Sequence, residues 1–249
     1  MLDFWVGIAS YKRPEGQRTL AYLEKIKFPK DRIILSVQNQ EDEKAYKSAG
    51  IASRVGRFVF KMANSAGANR NTILDVLKPG ENIVLLDDDL DSIDILEQRE
   101  TPVLRALNTT SEFRQMVERG FTLASIHKTI CWGVYPVHNS FFMKNDYSRR
   151  TIFTTQVMGL AASDMRFNAA LQTKEDFELC CRIIRKYGSC VRLNNYTIKE
   201  RKMHGGCEAA WKDKEAARLV AEALCAKYPD ILRLNSRRPG EVLMVRSHK

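Results

Sequence analysis

Apolar residues in this chain fall in short continuous runs, and the segments between them carry helical spacing. "FWVGIAS", Phe4 to Ser10, predicts a first strand, followed by Tyr11-Lys12-Arg13 and by Pro14, which opens a helix from Glu15 to Ile26 with Leu20, Leu23 and Ile26 on one side. "RIILSVQN", Arg32 to Asn39, predicts a second strand, with a short helix from Glu41 to Ala49 behind it. "SRVGRFVF" predicts a third strand. Ala63 to Leu77 predicts a helix with a glycine-containing start, stopped by Pro79-Gly80. "NIVLLDDD" is the next strand. This alternation predicts an α/β unit whose sheet is largely parallel, because strands covered on both faces read as unbroken apolar runs.

The second half is patterned differently. "SEFRQMVERG" predicts a short helix, and "FTLASIHKTICWGVYPVHNSFFMKN" predicts a β-rich aromatic stretch broken at Gly133 and Pro136. Thr173 to Gly188 predicts a helix: Phe177, Cys180, Cys181, Ile184 and Tyr187 recur at its period and Gly188 closes it. "SCVRLNNYTI" predicts a strand, and Glu208 to Tyr228 a last amphipathic helix before a basic tail with Arg237 and Arg238.

Chemistry collects where the predicted strands stop. The first ends at Ser10-Tyr11-Lys12-Arg13, the second at Gln38-Asn39-Gln40, and the fourth at Asp87-Asp88-Asp89, with Asp91 and Asp94 just beyond. In open α/β sheets ligands sit outside the carboxyl ends of the strands. Three adjacent carboxylates repel one another and call for compensation by basic side chains, a divalent cation or water. Mg²⁺ or Mn²⁺ suits such oxygen donors; an acidic turn after a buried strand is the plainer alternative. In "KEDFEL", Asp176 reads either as a capping-box partner of Thr173 or as a general base. His204 precedes Gly205-Gly206 and reads as a metal ligand or as a structural residue. Trp132, Tyr135, His138 and Asn139 offer stacking surface and hydrogen-bonding tips suited to a sugar or an unstacked base, against the alternative of an aromatic core hairpin.

Composition narrows the partners. The 249 residues are 44% hydrophobic, enough for one large core, and 40 Lys and Arg face 30 Asp and Glu, a formal net charge of +10 that favours polyanions. No run approaches the roughly 20 apolar residues of a membrane span. The amino terminus lacks the basic start of a signal peptide, so a cytoplasmic protein without a membrane partner is expected. The six cysteines form no C-x-x-C pair and are expected to be buried thiols.

Taken in order, these segments resemble the GT-A glycosyltransferases. "ASYKRP" is similar to their first nucleotide-binding loop, "GANRN" (Gly67 to Asn71) to the small-residue-Arg-Asn segment before the metal strand, "LLDDDL" to the D-x-D strand, "KEDFEL" to the Glu-Asp motif, and "KMHGG" to the late histidine. "GVYPVHNSFFM", with the "ASYKRP" start and the "GG" close, narrows the resemblance to the TET-associated glycosyltransferases of phages, a family linked to adding sugars to hydroxymethylated cytosine in DNA.

The resemblance implies one GT-A-like, Rossmann-like domain over 1–249, with a mixed, mostly parallel sheet and flanking helices. Residues 1–95 would form the nucleotide-sugar half and 96–249 the acceptor half. Ser10, Tyr11, Arg13, Asn39, Arg70, Asp87 and Asp88 would line the donor, a UDP-sugar. Asp87, Asp89 and His204 would hold Mn²⁺ or Mg²⁺. Asp176, or Glu175 in its place, would deprotonate the acceptor hydroxyl for an inverting attack. Trp132, Tyr135, His138 and Asn139 would meet the acceptor, modified DNA, in the host cytoplasm if the protein is phage-encoded. Two other readings stay open: a metal-dependent nucleotidyltransferase, whose Gly-rich phosphate loop "ASYKRPEG" lacks, and a non-catalytic DNA-binding module on the same fold.

Overall fold

A computed structural model describes residues 2–201, 213–238 and 240–245. Its first half follows the strand–helix alternation. β1 (Phe4–Ser10) leads through α1 (Arg18–Lys25) to β2 (Ile33–Val37), α2 (Gln40–Ser48), β3 (Arg57–Phe60), α3 (Ala66–Asp75) and β4 (Asn82–Leu86). The four strands lie side by side in the order β3-β2-β1-β4, all parallel. Helix α1 starts later than Pro14 suggested. Residues before it instead form a loop in which Gln17 Nε2 donates to the Arg13 carbonyl at 2.7 Å.

After β4 the chain departs from the expected pattern. β5 (Leu90–Glu97) begins directly beyond the three aspartates and pairs with β6 (Val103–Ala106). Helix α4 runs Thr110–Ile126, so "FTLASI", expected as strand, is helical. Thr109 caps it by accepting the Glu112 N–H at 3.2 Å, and Phe113, Met116, Val117, Gly120, Phe121 and Ala124 are buried along it. Helical spacing therefore continued through a segment whose branched and aromatic content alone suggested β. Then come β7 (Cys131–Tyr135), β8 (Tyr147–Ser148), β9 (Val157–Leu160), α5 (Glu175–Tyr187), β10 (Val191–Glu200) and α6 (Lys214–Lys227). A hairpin of β11 (Leu232–Leu234) and β12 (Val242–Met244) follows.

The main sheet has the order β3-β2-β1-β4-β9-β7-β10-β5-β6, with β8 on β10. β1–β4, β6, β7 and β10 point one way, and β5, β8 and β9 oppose them. The sheet is thus mixed and mostly parallel, with helices on both faces. One face packs Phe4, Val6, Ile8, Val84 and Leu86 under α1 and α4. The other packs Trp5, Ile34, Ile83 and Leu85 under α3, α5 and α6. Both faces of β1 and β4 are buried, which is why their sequences show no polar alternation. Cys131, Cys180, Cys181 and Cys190 are buried free thiols and Cys225 is a half-buried one. Among the described residues no helix is long and apolar enough to cross a membrane.

Candidate functional site

The carboxyl ends of β1 and β4 meet in one buried polar network. The Ser10 hydroxyl donates to Asp88 Oδ2, accepts from Gln17 Nε2 at 2.9 Å and lies 2.6 Å from the Tyr46 hydroxyl. Tyr46, on α2, accepts the Arg13 N–H at 3.0 Å. Arg13 Nη1 donates to Asp88 Oδ1 at 2.6 Å and to Asp89 Oδ2 at 3.2 Å. Thr19, in the first turn of α1, clasps the acidic turn from the other side. Its hydroxyl donates to the Asp87 carbonyl and accepts the Leu90 N–H at 3.0 Å. Arg18 pairs with Asp91. The charge compensation that three aspartates demand is thus supplied in large part by arginines.

Three of the residues expected to line the donor are engaged within the protein. Ser10 and Asp88 are buried, and the Ser10 hydroxyl is committed to Asp88. They hold the loop that Arg13 and the half-buried Tyr11 present. Asn39 is a helix cap: its Oδ1 accepts the Asp42 N–H at 2.7 Å and its Nδ2 donates to Asp42 Oδ2 at 3.0 Å.

Arg70 joins the acidic turn to α5. Its Nη2 donates to Asp87 Oδ1 at 2.7 Å and its Nη1 to Glu175 Oε1 at 2.5 Å. Burial opposes its charge, but Asp87 and Glu175 outweigh it and hold the guanidinium more firmly protonated than usual. Two sequence features make the bridge. Asn69 bonds the Ser10 and Ser36 carbonyls and the Ser36 hydroxyl, which fixes α3 on β1 and β2. Gly67 lets α5 approach, since a Cβ there would stand 3.1 Å from Phe167 Cβ and 3.2 Å from Glu175 Cγ.

Asp176 beside Glu175 is differently placed. Its carboxylate accepts the Phe177 N–H at 2.8 Å and the Thr155 N–H at 3.4 Å. The capping box with Thr173 is not formed: Lys174 occupies the cap position in a left-handed conformation, φ 60°, with no side-chain cap bond. Such a conformation costs on the order of 1–3 kcal/mol for a residue with a side chain, and such costs concentrate at functional sites. Burial, with the Glu175 charge added, raises the Asp176 carboxyl to about 7. Asp176 still keeps partial solvent access. Glu175 is salted to Arg70, whereas the Asp176 carboxylate is held by the two backbone N–H groups.

Asp89 is raised to about 7 as well, by burial first and then by Asp87 and Asp88. A nearby cation would relieve that repulsion, and Asp87 and Asp89 supply the oxygen donors a hard divalent ion takes. The donor chemistry fits Mg²⁺ or Mn²⁺, although among the described residues no three acidic, His or Cys side chains converge as a metal-binding group. His204 lies outside the described residues.

The four residues expected to meet an acceptor separate. Trp132 is fully buried against Phe121, centroids 5.6 Å apart, and its ring fills the space left by the missing side chains of Gly120 and Gly159. It is core and has no face to offer a ligand. Asn139 caps a turn by accepting the Phe141 N–H at 3.0 Å. Tyr135 is half-buried under the Arg192 guanidinium, 4.9 Å from the ring centroid. His138 is exposed, its Nε2 2.7 Å from Asp94 Oδ2 on the adjacent β5.

Gln17, Thr19, Tyr46 and Thr155 were not anticipated from sequence. Their roles depend on which elements lie side by side, and only Asp42 and Tyr46, four apart on one face of α2, carry a local signal.

Solved structures share this fold. A mannosyltransferase from Pyrobaculum calidifontis, in complex with GDP-Man and Mn²⁺, matches with TM-score 0.59 and 11% identity over 91% of this chain and 64% of its own. Glucosyl-3-phosphoglycerate synthase from Mycobacterium tuberculosis, with Mn²⁺, UDP and glucosyl-3-phosphoglycerate, matches with TM-score 0.57 and 10% identity over 94% and 84%. S. aureus TarS 1-349 with UDP matches with TM-score 0.53 and 14% identity over 90% and 66%. The chain spans 40% of a longer S. aureus TarS chain. Among curated proteins none matches. The shared architecture is that of GT-A glycosyltransferases, and a family model described as TET-Associated Glycosyltransferase matches residues 4–206, the stretch that holds every strand-end motif described above. The chain belongs to the TET-associated glycosyltransferase family.

Proposed function

We propose that this protein moves a sugar from a nucleotide-diphosphate sugar to a hydroxyl acceptor, and that the acceptor is 5-hydroxymethylcytosine in DNA. The observation that carries the reading is the Arg70 bridge. One buried guanidinium ties the acidic turn at Asp87 to Glu175, so the donor side and the proton-accepting side are held in register. Tyr11 and Arg13 would line the nucleotide and its phosphates. Asp87 and Asp89 would hold Mn²⁺ or Mg²⁺, with His204 as a further ligand. A bound ion supplies charge neutralisation of the departing diphosphate. The Mn²⁺ named with two of the similar structures, and their UDP and GDP-Man, support this donor class.

Asp176 takes the proton of the acceptor hydroxyl as that oxygen attacks the anomeric carbon. The new carbon–oxygen bond forms while the bond to the diphosphate breaks, and the electron pair leaves with the diphosphate. A single base facing the donor implies inversion. A carboxylate poised near neutrality is a better base than an ordinary one and is still ionised in a large share of molecules at physiological pH. The net charge of +10 and the family's name support a DNA acceptor.

The test is donor cleavage. The protein is incubated with Mn²⁺ and a panel of UDP- and GDP-sugars, with and without DNA containing 5-hydroxymethylcytosine, and released nucleoside diphosphate is measured. Release stimulated by the modified DNA is the expected result. Release indifferent to DNA rejects the acceptor and retains the transferase, and no release from any donor rejects both.

A further inference from the structure

Two large apolar rings stand in solvent on the segment after β7. Phe141 is 83% and Phe142 56% exposed, and they meet edge to face with centroids 5.1 Å apart. The segment beneath them is tied down at several points. His138 meets buried Asp94 at 2.7 Å. Asn139 accepts the Phe141 N–H with its side chain at 3.0 Å and the Phe142 N–H with its carbonyl at 3.3 Å. Met143 is buried, and the Lys144 N–H donates to the Asn194 carbonyl at 3.3 Å. Holding a phenylalanine out of the core forgoes the free energy of burying its ring. A turn pinned on both sides and presenting two such rings is built to meet something.

The surroundings say what. Lys144, Arg149 and Arg150 are exposed close by in the chain. The one acidic side chain between them, Asp146, is engaged by Asn194 Nδ2 at 2.6 Å. Aromatic rings flanked by cations suit a polyanion with stackable faces better than an apolar groove of another protein. The turn is also tied, through Asp94, to the strand that follows the acidic turn. Its anchor Asp94 sits five positions along β5 from Asp89, on the order of 15 Å at strand rise. Asp176 is only partly exposed and accepts the Phe177 and Thr155 N–H groups, and a hydroxyl on a base turned out of the stack reaches such a group more readily than one on a stacked base.

We propose that Phe141 and Phe142 form a wedge that enters duplex DNA at the base step beside the modified cytosine and keeps the stack open while that nucleotide turns into the site. The proposal rests on the DNA-acceptor reading. Apolar wedges that part base steps and enzymes that extrude the base they act on supply the physical precedent.

The test compares wild type with F141A/F142A, two exposed positions outside the catalytic machinery. Transfer is measured to one oligonucleotide in three forms: single-stranded, in a matched duplex, and in a duplex with an abasic position opposite the modified cytosine. The variant should lose on the order of tenfold or more on the matched duplex, keep single-strand activity within about twofold, and regain most activity on the abasic duplex, where less pairing must be broken. Separately, binding to an unreacted duplex with 2-aminopurine beside the modified cytosine should raise its fluorescence with wild type and not with the variant. Equal loss on single strand and duplex, or no loss on the duplex, overturns the wedge. So does wild type that leaves 2-aminopurine dark, whatever the transfer assay gives. A change in oligomeric state on mutation, with the fluorescence response intact, assigns the rings to self-association instead. Wild type that glycosylates none of the three forms is the separate failure of the acceptor reading.

Discussion

The two halves of the sheet place their chemistry in different ways. In the β3-β2-β1-β4 half, polar groups sit at strand ends and are locked to each other: Ser10 to Asp88, Arg13 to Asp88 and Asp89, Arg70 to Asp87. In the half built on β7, β10 and β5, exposed groups ride on a loop between strands that is tied down at buried Asp94 and Met143. A diphosphate presents the same charges whatever sugar it carries, so a preorganised, rigid set of partners serves it. In the proposed reaction an acceptor must enter and leave, which a loop allows more readily than a locked network. Arg70 is where the halves meet, through Glu175 of α5.

The comparison can be broken most severely at Asp176. D176N should lower kcat by about 10²–10⁴-fold, the span of a general base, with donor affinity nearly unchanged, measured by titration with the nucleoside diphosphate. E175Q should cost far less in kcat, because Glu175 serves Arg70. Comparable losses for the two would undo their assignment to separate roles.

Arg70→Ala should strike both halves together. It leaves two carboxylates facing each other without their buried cation, a loss of about 3–5 kcal/mol read by urea unfolding, and it should weaken nucleotide binding as well. W132A should cost about 3–5 kcal/mol in the same assay, yet leave the KM for acceptor within about twofold once the protein is folded, because Trp132 touches core and not ligand.

The pH dependence is a smaller and sharper test. Asp176 must be ionised to accept a proton, so kcat/KM at saturating metal should rise about tenfold per pH unit below its value and level off above about 7. Stability runs the other way. The folded-state value exceeds the ordinary 3.8, so between 3.8 and about 7 the folded protein holds a proton the unfolded chain has released, and stability falls as pH rises through that window. D176N should therefore melt above wild type at pH 8 and converge with it near pH 4. A variant that melts lower at pH 8 would remove burial as the cause of the shift.

The first half was legible because parallel strands buried on both faces leave unbroken apolar runs. β1, β2 and β4 lie within the runs that predicted them, and the polar residues after each run do gather at the sheet's carboxyl edge. The second half was less so. β5 begins directly after the aspartates, and β9 is four residues long, too short for any period to declare itself. Trp132 reads as a ligand-stacking residue in isolation. Only the close approach of Gly120 and Gly159, brought in by α4 and β9, makes it core.

The sequence by itself determined the α/β class, the strand-end location of the chemistry and the identity of the acidic and basic residues there. Those follow from hydrophobic periodicity and residue type, which are local. Tertiary structure alone decided which charges neutralise which: Arg13 on Asp88, Arg70 between Asp87 and Glu175, and Asp176 left to accept backbone N–H groups. Partners 17 to 105 residues apart leave no trace in a local pattern. The proton affinity that separates Asp176 from an ordinary aspartate comes first from burial, which exists only once the chain has folded, with the charge of its chain neighbour Glu175 added.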